Sequence, residues 1–317
     1  MDENNEYTND DLLALLWLYA LYEENRNSNE EIWTRFNTDL THNHRFFPEE
    51  NEIIKTIRER ANSSTIYYNK GQILYRARIF NGDPYASFME LYRKELGFTK
   101  EQWRVEKAKV IQNESVFLTQ ISMLEFVDKG HLENNPDTKQ LLQAIRKWQK
   151  VKFKGYNSKE SLPPPPSASV AGRANPEGIS YTYLCEDENT PVYEVRPTIN
   201  QIVSVAKFKL NRQLKIFDIN YAMEQLEFPP LFSTISEKFS MPYNGNPAEY
   251  LPTQYLTELI RTMGFDGIRF NSSLHENGKN VVLFTTDYKV ISSKLVTVKK
   301  YDLEIDQHDI HTLTQKS

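Results

Sequence analysis

The segment GRANPEGISYTYLCEDENTPVYEVRP, Gly172 to Pro197, carries the densest structural signal in the chain. It opens with a turn. Asn175 precedes Pro176, which disfavours helix at Asn175, and Gly178 tolerates a positive φ. Ile179 to Leu184 then alternates and is rich in β-branched and aromatic residues, the signature of a strand. Glu186 to Asn189 reads as a charged turn, and Pro191 to Arg196 as a second strand. Alternation along that strand puts Val192, Glu194 and Arg196 on one face and Tyr193 and Val195 on the other. A carboxylate in so short an apolar strand is either solvated on a surface hairpin or paired, because an unpaired buried charge is costly.

The phrases Gly172-Arg173-Ala174-Asn175-Pro176, Gly178-Ile179-Ser180-Tyr181 and Glu194-Val195-Arg196-Pro197 together resemble the core of the RES domain, a family named for an arginine, a glutamate and a serine. The resemblance implies an ADP-ribosyltransferase-like fold. It also implies an NAD-degrading toxin neutralised by an antitoxin. Further on, Tyr250 to Phe284 extends it, with Phe265-Asp266-Gly267-Ile268 followed by Ser272-Ser273, either of which stands where the family serine is expected.

Upstream, GQILYRARIF (Gly71 to Phe80) reads as a strand with Leu74, Arg76, Arg78 and Phe80 on one face. Two arginines there are either solvated edge charges or an anion site. The family has an arginine on its first strand in a similar phrase, which favours Arg76, with Arg78 second. About ninety residues separate Arg78 from Arg173, a wider gap than the compact members have. The insert reads as helical, over Ser87–Leu96, Lys100–Gln112, Phe117–Asp128 and Thr138–Val151. Gly155 to Ala168, with its run Pro163 to Pro166, reads as a polyproline-type linker.

Downstream, Ile202–Phe208 and Gln213–Asp218 read as strands and Asn220–Asn244 as a mixed stretch with short helices. A helix is expected from Tyr250, capped by Thr253, with Tyr255, Leu256, Leu259, Ile260 and Met263 as its apolar side and Gly264 at its end. Strands at Gly267–Asn271 and Asn280–Phe284 flank the turn dipeptide Asn277-Gly278.

The first residues form a helical pattern: Leu12 to Glu24, a polar break at Asn25–Asn29, then Glu30–Leu40 and Glu49–Asn62. Within RFNTDLTH, Arg35 and His42 resemble the catalytic pair of HEPN ribonucleases, a short pattern that a solvated helix end fits equally well. The division that follows is a helical, HEPN-like N-terminal module over 1–68, a RES domain over 69–301 with a helical insert at about 84–152, and a polar tail over 302–317. The fold class is α+β, an ADP-ribosyltransferase-like mixed β core with the helical module and insert.

The formal net charge of −5 supplies no global basic field to draw in nucleic acid. A single cysteine, Cys185, rules out an intrachain disulfide, fits a reducing cytoplasm and reads as a packed residue rather than a nucleophile. The apolar run Leu12–Tyr22 is shorter than the roughly 20 residues that cross a bilayer, so no membrane association is expected and a cytoplasmic protein is. The six histidines are scattered and no metal-ligand spacing stands out.

Cleaving NAD at the nicotinamide bond needs no general acid, since the pyridinium departs neutral. It needs a carboxylate beside the ribose cation that forms, cationic groups on the diphosphate and an aromatic surface for the ring. The resemblance maps these needs onto Glu194, Arg76 and Arg173 as catalytic residues and Arg78, Tyr181, Tyr183, Ser204, Ser272 and Ser273 as NAD-binding ones. Tyr181 and Tyr183 fit a core role equally well. NAD is expected as substrate, with no metal. An antitoxin or sensor protein is the partner expected, and a homo-oligomer is left open. A binding protein without catalysis, or a HEPN-type ribonuclease, is the alternative.

Overall fold

The structure is a computed structural model and describes residues 9–110, 136–220, 230–241 and 247–300. Helices are α1 (Asn9–Thr38), α2 (Glu52–Arg60), α3 (Ala86–Glu95), α4 (Lys100–Val110), α5 (Pro136–Gln149), α6 (Thr190–Glu194), α7 (Pro230–Ser240) and α8 (Leu251–Thr262). Strands are β1 (Thr65–Tyr68), β2 (Ile73–Ile79), β3 (Thr182–Cys185), β4 (Ile202–Leu210), β5 (Leu214–Asp218), β6 (Gly267–Asn271), β7 (Lys279–Leu283) and β8 (Tyr288–Thr297). They form one sheet in the order β1-β5-β6-β7-β3-β2-β4-β8. The fold is therefore a mixed α+β one. The β5–β6 pair is parallel, and the chain between them makes the helical crossover, α7 and α8, that parallel pairing requires. The β6–β7 pair is an antiparallel hairpin closed by Asn277, at φ 59°, and Gly278, as the dipeptide implied.

The chain divides into two units, one of Met1–Ala77, Tyr156–Glu194 and Val205–Ser293, the other of Arg78–Gly155, Val195–Ser204 and Lys294–Ser317. In the first, one face of the sheet is covered by helices. Phe217, Ile268, Phe270 and Val282 pack with Phe232, Ile235, Leu256 and Ile260 in a continuous core. Trp33 and Phe36 from α1 and Ile53, Ile54 and Ile57 from α2 belong to the same core. Asn51 caps α2, its side chain accepting from the N–H groups of Ile53 and Ile54 at 3.1 Å, which turns the three isoleucines inward. The opposite face packs Tyr68, Leu74, Leu184, Phe208, Ile216 and Tyr288 from the strands themselves.

Three local expectations are corrected. The polar stretch Asn25–Asn29 does not break the helix, which runs unbroken from Asn9 to Thr38 and widens into a π-helical turn at Asp39–Asn43. Pro191–Arg196 is not a strand, since Thr190–Glu194 is a short helix, for reasons given below. Thr253 does not cap α8. Tyr250 holds the N-cap position, and the Thr253 hydroxyl bonds the carbonyls of Arg173 (2.7 Å) and Tyr250 (3.1 Å). Strands β1 and β8 had no counterpart in the sequence reading. Gly264, at φ 81°, ends α8 as anticipated.

In the second unit α3 and α5 pack through Phe88, Met89, Tyr92, Leu141, Ala144 and Ile145, with Trp148 edge-on to Phe88 at 6.0 Å. The expected insert helices at Ser87–Leu96, Lys100–Gln112 and Thr138–Val151 appear as α3, α4 and α5. The segments Phe117–Asp128 and 302–317 lie outside the described residues. No described helix is long and apolar enough to cross a membrane.

A charged cluster ties together β5, β6 and the residue that follows β3. Asp218, fully buried at the end of β5, pairs with Arg269 of β6, whose guanidinium also reaches Glu186 at 3.0 Å, and the Tyr68 hydroxyl donates to Glu186. Burial, then the Glu186 charge, pushes the Tyr68 hydroxyl far above its usual range, so it stays a donor. Replacing Arg269 by Ala leaves Asp218 buried without its cation. A loss of about 3–5 kcal/mol is expected from denaturant unfolding. A loss below about 1 kcal/mol would show that water reaches Asp218 and that the cluster does not hold these strands together.

Candidate active site

The site grows from the end of β3. Asp187 accepts the N–H groups of Asn189 (2.8 Å) and Thr190 (2.9 Å) on Oδ1, and the Thr190 hydroxyl on Oδ2. This Asx turn satisfies the donors that a helix start leaves bare, and Pro191 in the first turn lacks the N–H that would need a partner. Five residues of helix follow, Thr190 to Glu194, and the backbone leaves at Arg196 with φ 46°. Local capping thus overrides the alternation that suggested a strand.

Glu194, on the last position of α6, is exposed, yet its Oε1 is fixed twice, by Ser272 Oγ and by Asn280 Nδ2, each at 2.7 Å. Ser272 Oγ accepts the N–H groups of Leu274 (3.1 Å) and His275 (3.2 Å), so its own proton points to Glu194. Asn280 on β7 sits opposite Cys185 on β3. The buried Cys185 thiol donates to Asn280 Oδ1 at 3.2 Å. Burial, and then the charge of Glu194, push that thiol up, so it remains S–H. A thiol that donates selects the amide oxygen, which turns the Asn280 NH2 toward Glu194. Among the described residues nothing bonds Glu194 Oε2.

One residue before Glu194 in the chain, Tyr193 stacks on His275 with centroids 4.6 Å apart and planes 14° apart. Nδ1 of His275 lies 2.7 Å from Thr190 Oγ1. Because that hydroxyl donates to Asp187, Nδ1 must carry the proton it shares with Thr190. Burial opposes ionisation of Asp187, but the bonds from Thr190 and Asn189 and the neighbouring His275 outweigh it and hold the carboxyl below its ordinary range.

The other anticipated residues lie as follows. Arg173 donates to the carbonyls of Phe239 and Met241, at the C-terminal end of α7, with its guanidinium 5.7 Å over Phe270. Arg76 donates through Nη1 to the carbonyls of Ser161 (2.8 Å) and Leu162 (3.3 Å), anchoring the proline-rich segment. Tyr181 is buried in the helix-covered core, its hydroxyl donating to Glu258 and accepting from Arg261 at 3.2 Å. Tyr183 donates to Asn175 Oδ1 (2.7 Å) and accepts the Ala174 N–H (3.0 Å), tying down the turn, and a Cβ at Gly172 would lie 2.7 Å from both those oxygens. Burial pushes both tyrosines upward, so both stay protonated. Ser273 is exposed on the loop after Ser272. In the second unit Arg78 is exposed and Ser204 is buried with its Oγ against Gly155, where a Cβ would approach to 2.2 Å.

Asn280, Cys185, Tyr193 and His275 were not singled out as parts of the site. The signal for Asn280 was a polar residue at the head of the apolar run Val281-Val282-Leu283-Phe284. Arg35, with Asp39, His44, Glu49, Glu52 and Lys55, lines a separate cleft of about 600 Å³, and His42 is exposed. Among the described residues no group of three or more His, Cys, Asp or Glu could hold a metal ion.

Two outcomes follow. Arg173→Ala removes the donors from two carbonyls at the α7 end and is expected to lower stability by about 1–3 kcal/mol. An unchanged unfolding midpoint would put Arg173 outside the scaffold. Asp187→Asn tests the turn through pH. The folded carboxyl is depressed, so its stabilisation is complete above the ordinary value of 3.8 and fades as pH falls through the lower folded value. The stability gap between wild type and Asp187→Asn should therefore close only below about pH 4. A gap constant down to about pH 2 would mean that charge at Asp187 plays no part.

Among known proteins, no curated one matches the chain. A chain of the M. tuberculosis MbcT–MbcA toxin–antitoxin complex is similar at a TM-score of 0.37 and 11% identity, over 78% of this chain and 93% of that one. The RES domain matches residues 144–306, just over half of the 317, and these include Glu194, Ser272 and Asn280. By that match the chain belongs to the RES domain family.

Proposed function

We propose that this protein consumes NAD by cleaving the bond between nicotinamide and ribose, as a toxin or defence effector restrained by an antitoxin. The observation that carries the reading is an exposed glutamate whose one oxygen is fixed by two neutral donors while, among the described residues, nothing bonds the other. Neutral donors orient the carboxylate without cancelling its charge. A fixed negative charge beside the ribose anomeric carbon stabilises the oxocarbenium ion that forms as the pyridinium takes the bonding electrons and leaves. No general acid is required.

In this reading Glu194 is the catalytic residue and Ser272, rather than Ser273, is the serine that serves it. Arg76 is the candidate for the diphosphate, with its Nη1 held so that the guanidinium plane is set. Arg173, Tyr181 and Tyr183 build the scaffold around the site. Arg78 and Ser204 remain candidate NAD contacts by family likeness alone. Residues 1–68 serve as an accessory to the RES domain rather than as a ribonuclease. The acceptor of the ADP-ribosyl group is water, phosphate or a macromolecule.

Purified protein incubated with NAD should release nicotinamide, with the ADP-ribose product followed by mass. Glu194→Gln keeps the size and loses the charge. Turnover is expected to fall by roughly 10²-fold or more while NAD affinity changes little, because the charge acts in the transition state. Wild-type protein that releases no nicotinamide, or a Glu194→Gln variant with normal turnover, overturns the reading.

A further inference from the structure

The ring that leaves NAD is a planar cation bonded to the very carbon that Glu194 would face. Such a ring is best held against an aromatic face. Tyr181 cannot offer one, being 6% exposed within the core, and Tyr183 is committed to the Asn175 turn. Tyr193 is 41% exposed and stands next to Glu194 in the chain. One face of its ring is covered by His275, in a stack 4.6 Å between centroids. The stack and the carboxylate share an anchor. Ser272 Oγ donates to Glu194 at 2.7 Å and accepts the His275 N–H at 3.2 Å. From the other side, Asp187 holds Thr190, and Thr190 holds His275 Nδ1.

We propose that Tyr193 and His275 form the subsite for the nicotinamide ring of NAD, an aromatic platform locked in register with the Glu194 carboxylate. The inference rests on the NAD reading above and supplies the ring contact that reading lacks. A platform already fixed by stacking and by two hydrogen bonds loses little freedom when a ring lies on it. It also has a kinetic signature. The ring is positive in the ground state and becomes neutral as it leaves, so the tyrosine face holds the ground state at least as well as the transition state. Loss of the platform should therefore raise KM and leave kcat nearly unchanged.

The test uses the full chain and two ligands. 1-Methylnicotinamide keeps the cationic ring and lacks ribose and phosphates, and its binding is followed by NMR titration. Tyr193→Ala is expected to weaken it about fivefold, Tyr193→Trp to hold it within about twofold, and His275→Ala to repeat the loss. With NAD, Tyr193→Ala should raise KM about fivefold with kcat within about twofold, at an unchanged melting temperature. No binding of 1-methylnicotinamide by wild type, or equal binding by wild type and Tyr193→Ala, overturns the subsite. The two readings fail separately. Tyr193-dependent binding of the ring without nicotinamide release from NAD supports the subsite and sinks the cleavage. NAD turnover with a KM indifferent to Tyr193 does the reverse.

Discussion

A carboxylate at the end of a five-residue helix has no rigidity of its own, and holding Glu194 is the constraint that the surrounding structure answers. One turn of helix is far below the length at which helix formation sustains itself. Its start is therefore fixed by Asp187 and Pro191, and its end by two bonds from other elements, the β6–β7 loop through Ser272 and the β7 strand through Asn280. Each holder is itself held. Ser272 closes a turn on two backbone N–H groups, and Asn280 is buried in the middle of the sheet beside Cys185.

That arrangement needs β3, β6 and β7 to keep their register, since a one-residue slip would turn Asn280 to the opposite face. The buried Arg269 cluster resists such a slip. Arg269 sits on β6 opposite Val281, the neighbour of Asn280, and reaches Glu186, the neighbour of Asp187. A charge buried with its partners tolerates little displacement, because moving either strand would strand Asp218 without its cation. Register and site geometry are thus coupled through adjacent residues rather than through a long path.

The parts of the fold legible in the sequence were those with a local cause. The β6–β7 hairpin follows from Asn277-Gly278, the end of α8 from Gly264, and the insert helices from their apolar spacing. Glu194 and the Ser272–Ser273 pair stood out by family likeness, and of the two serines it is Ser272 whose hydroxyl closes a turn and donates to Glu194. What misled the sequence reading was competition between local signals. Val192, Glu194 and Arg196 alternate as a strand would, yet Asp187 and Pro191 carry the stronger helix-start signal. Four of the five residues Asn25–Asn29 have weak helix propensity, but they do not outweigh a helix anchored beyond them by Trp33 and Phe36. The roles of Asn280 and His275 were illegible because they depend on partners on other elements, Cys185 and Glu194 for one and Tyr193 and Thr190 for the other.

The chemistry of the clamp also limits what the site can do. An arginine in place of Asn280 would hold Glu194 more tightly, since it would add an opposite charge to a bond in which only the acceptor is now charged. It would also place a compensating cation against the carboxylate and weaken its field at the outer oxygen. Serine, asparagine and thiol avoid this. The carboxylate of Glu194 can only accept, so Asn280 turns its NH2 toward it and its Oδ1 toward Cys185, whose thiol burial and Glu194 keep protonated and able to donate. Charge thus enforces the direction of the whole chain of bonds, from Cys185 through Asn280 to Glu194, and the chain returns an oriented carboxylate with its charge intact. A structural glutamate would gain more from an ion pair. A glutamate that must act on a developing cation gains more from neutral donors such as these.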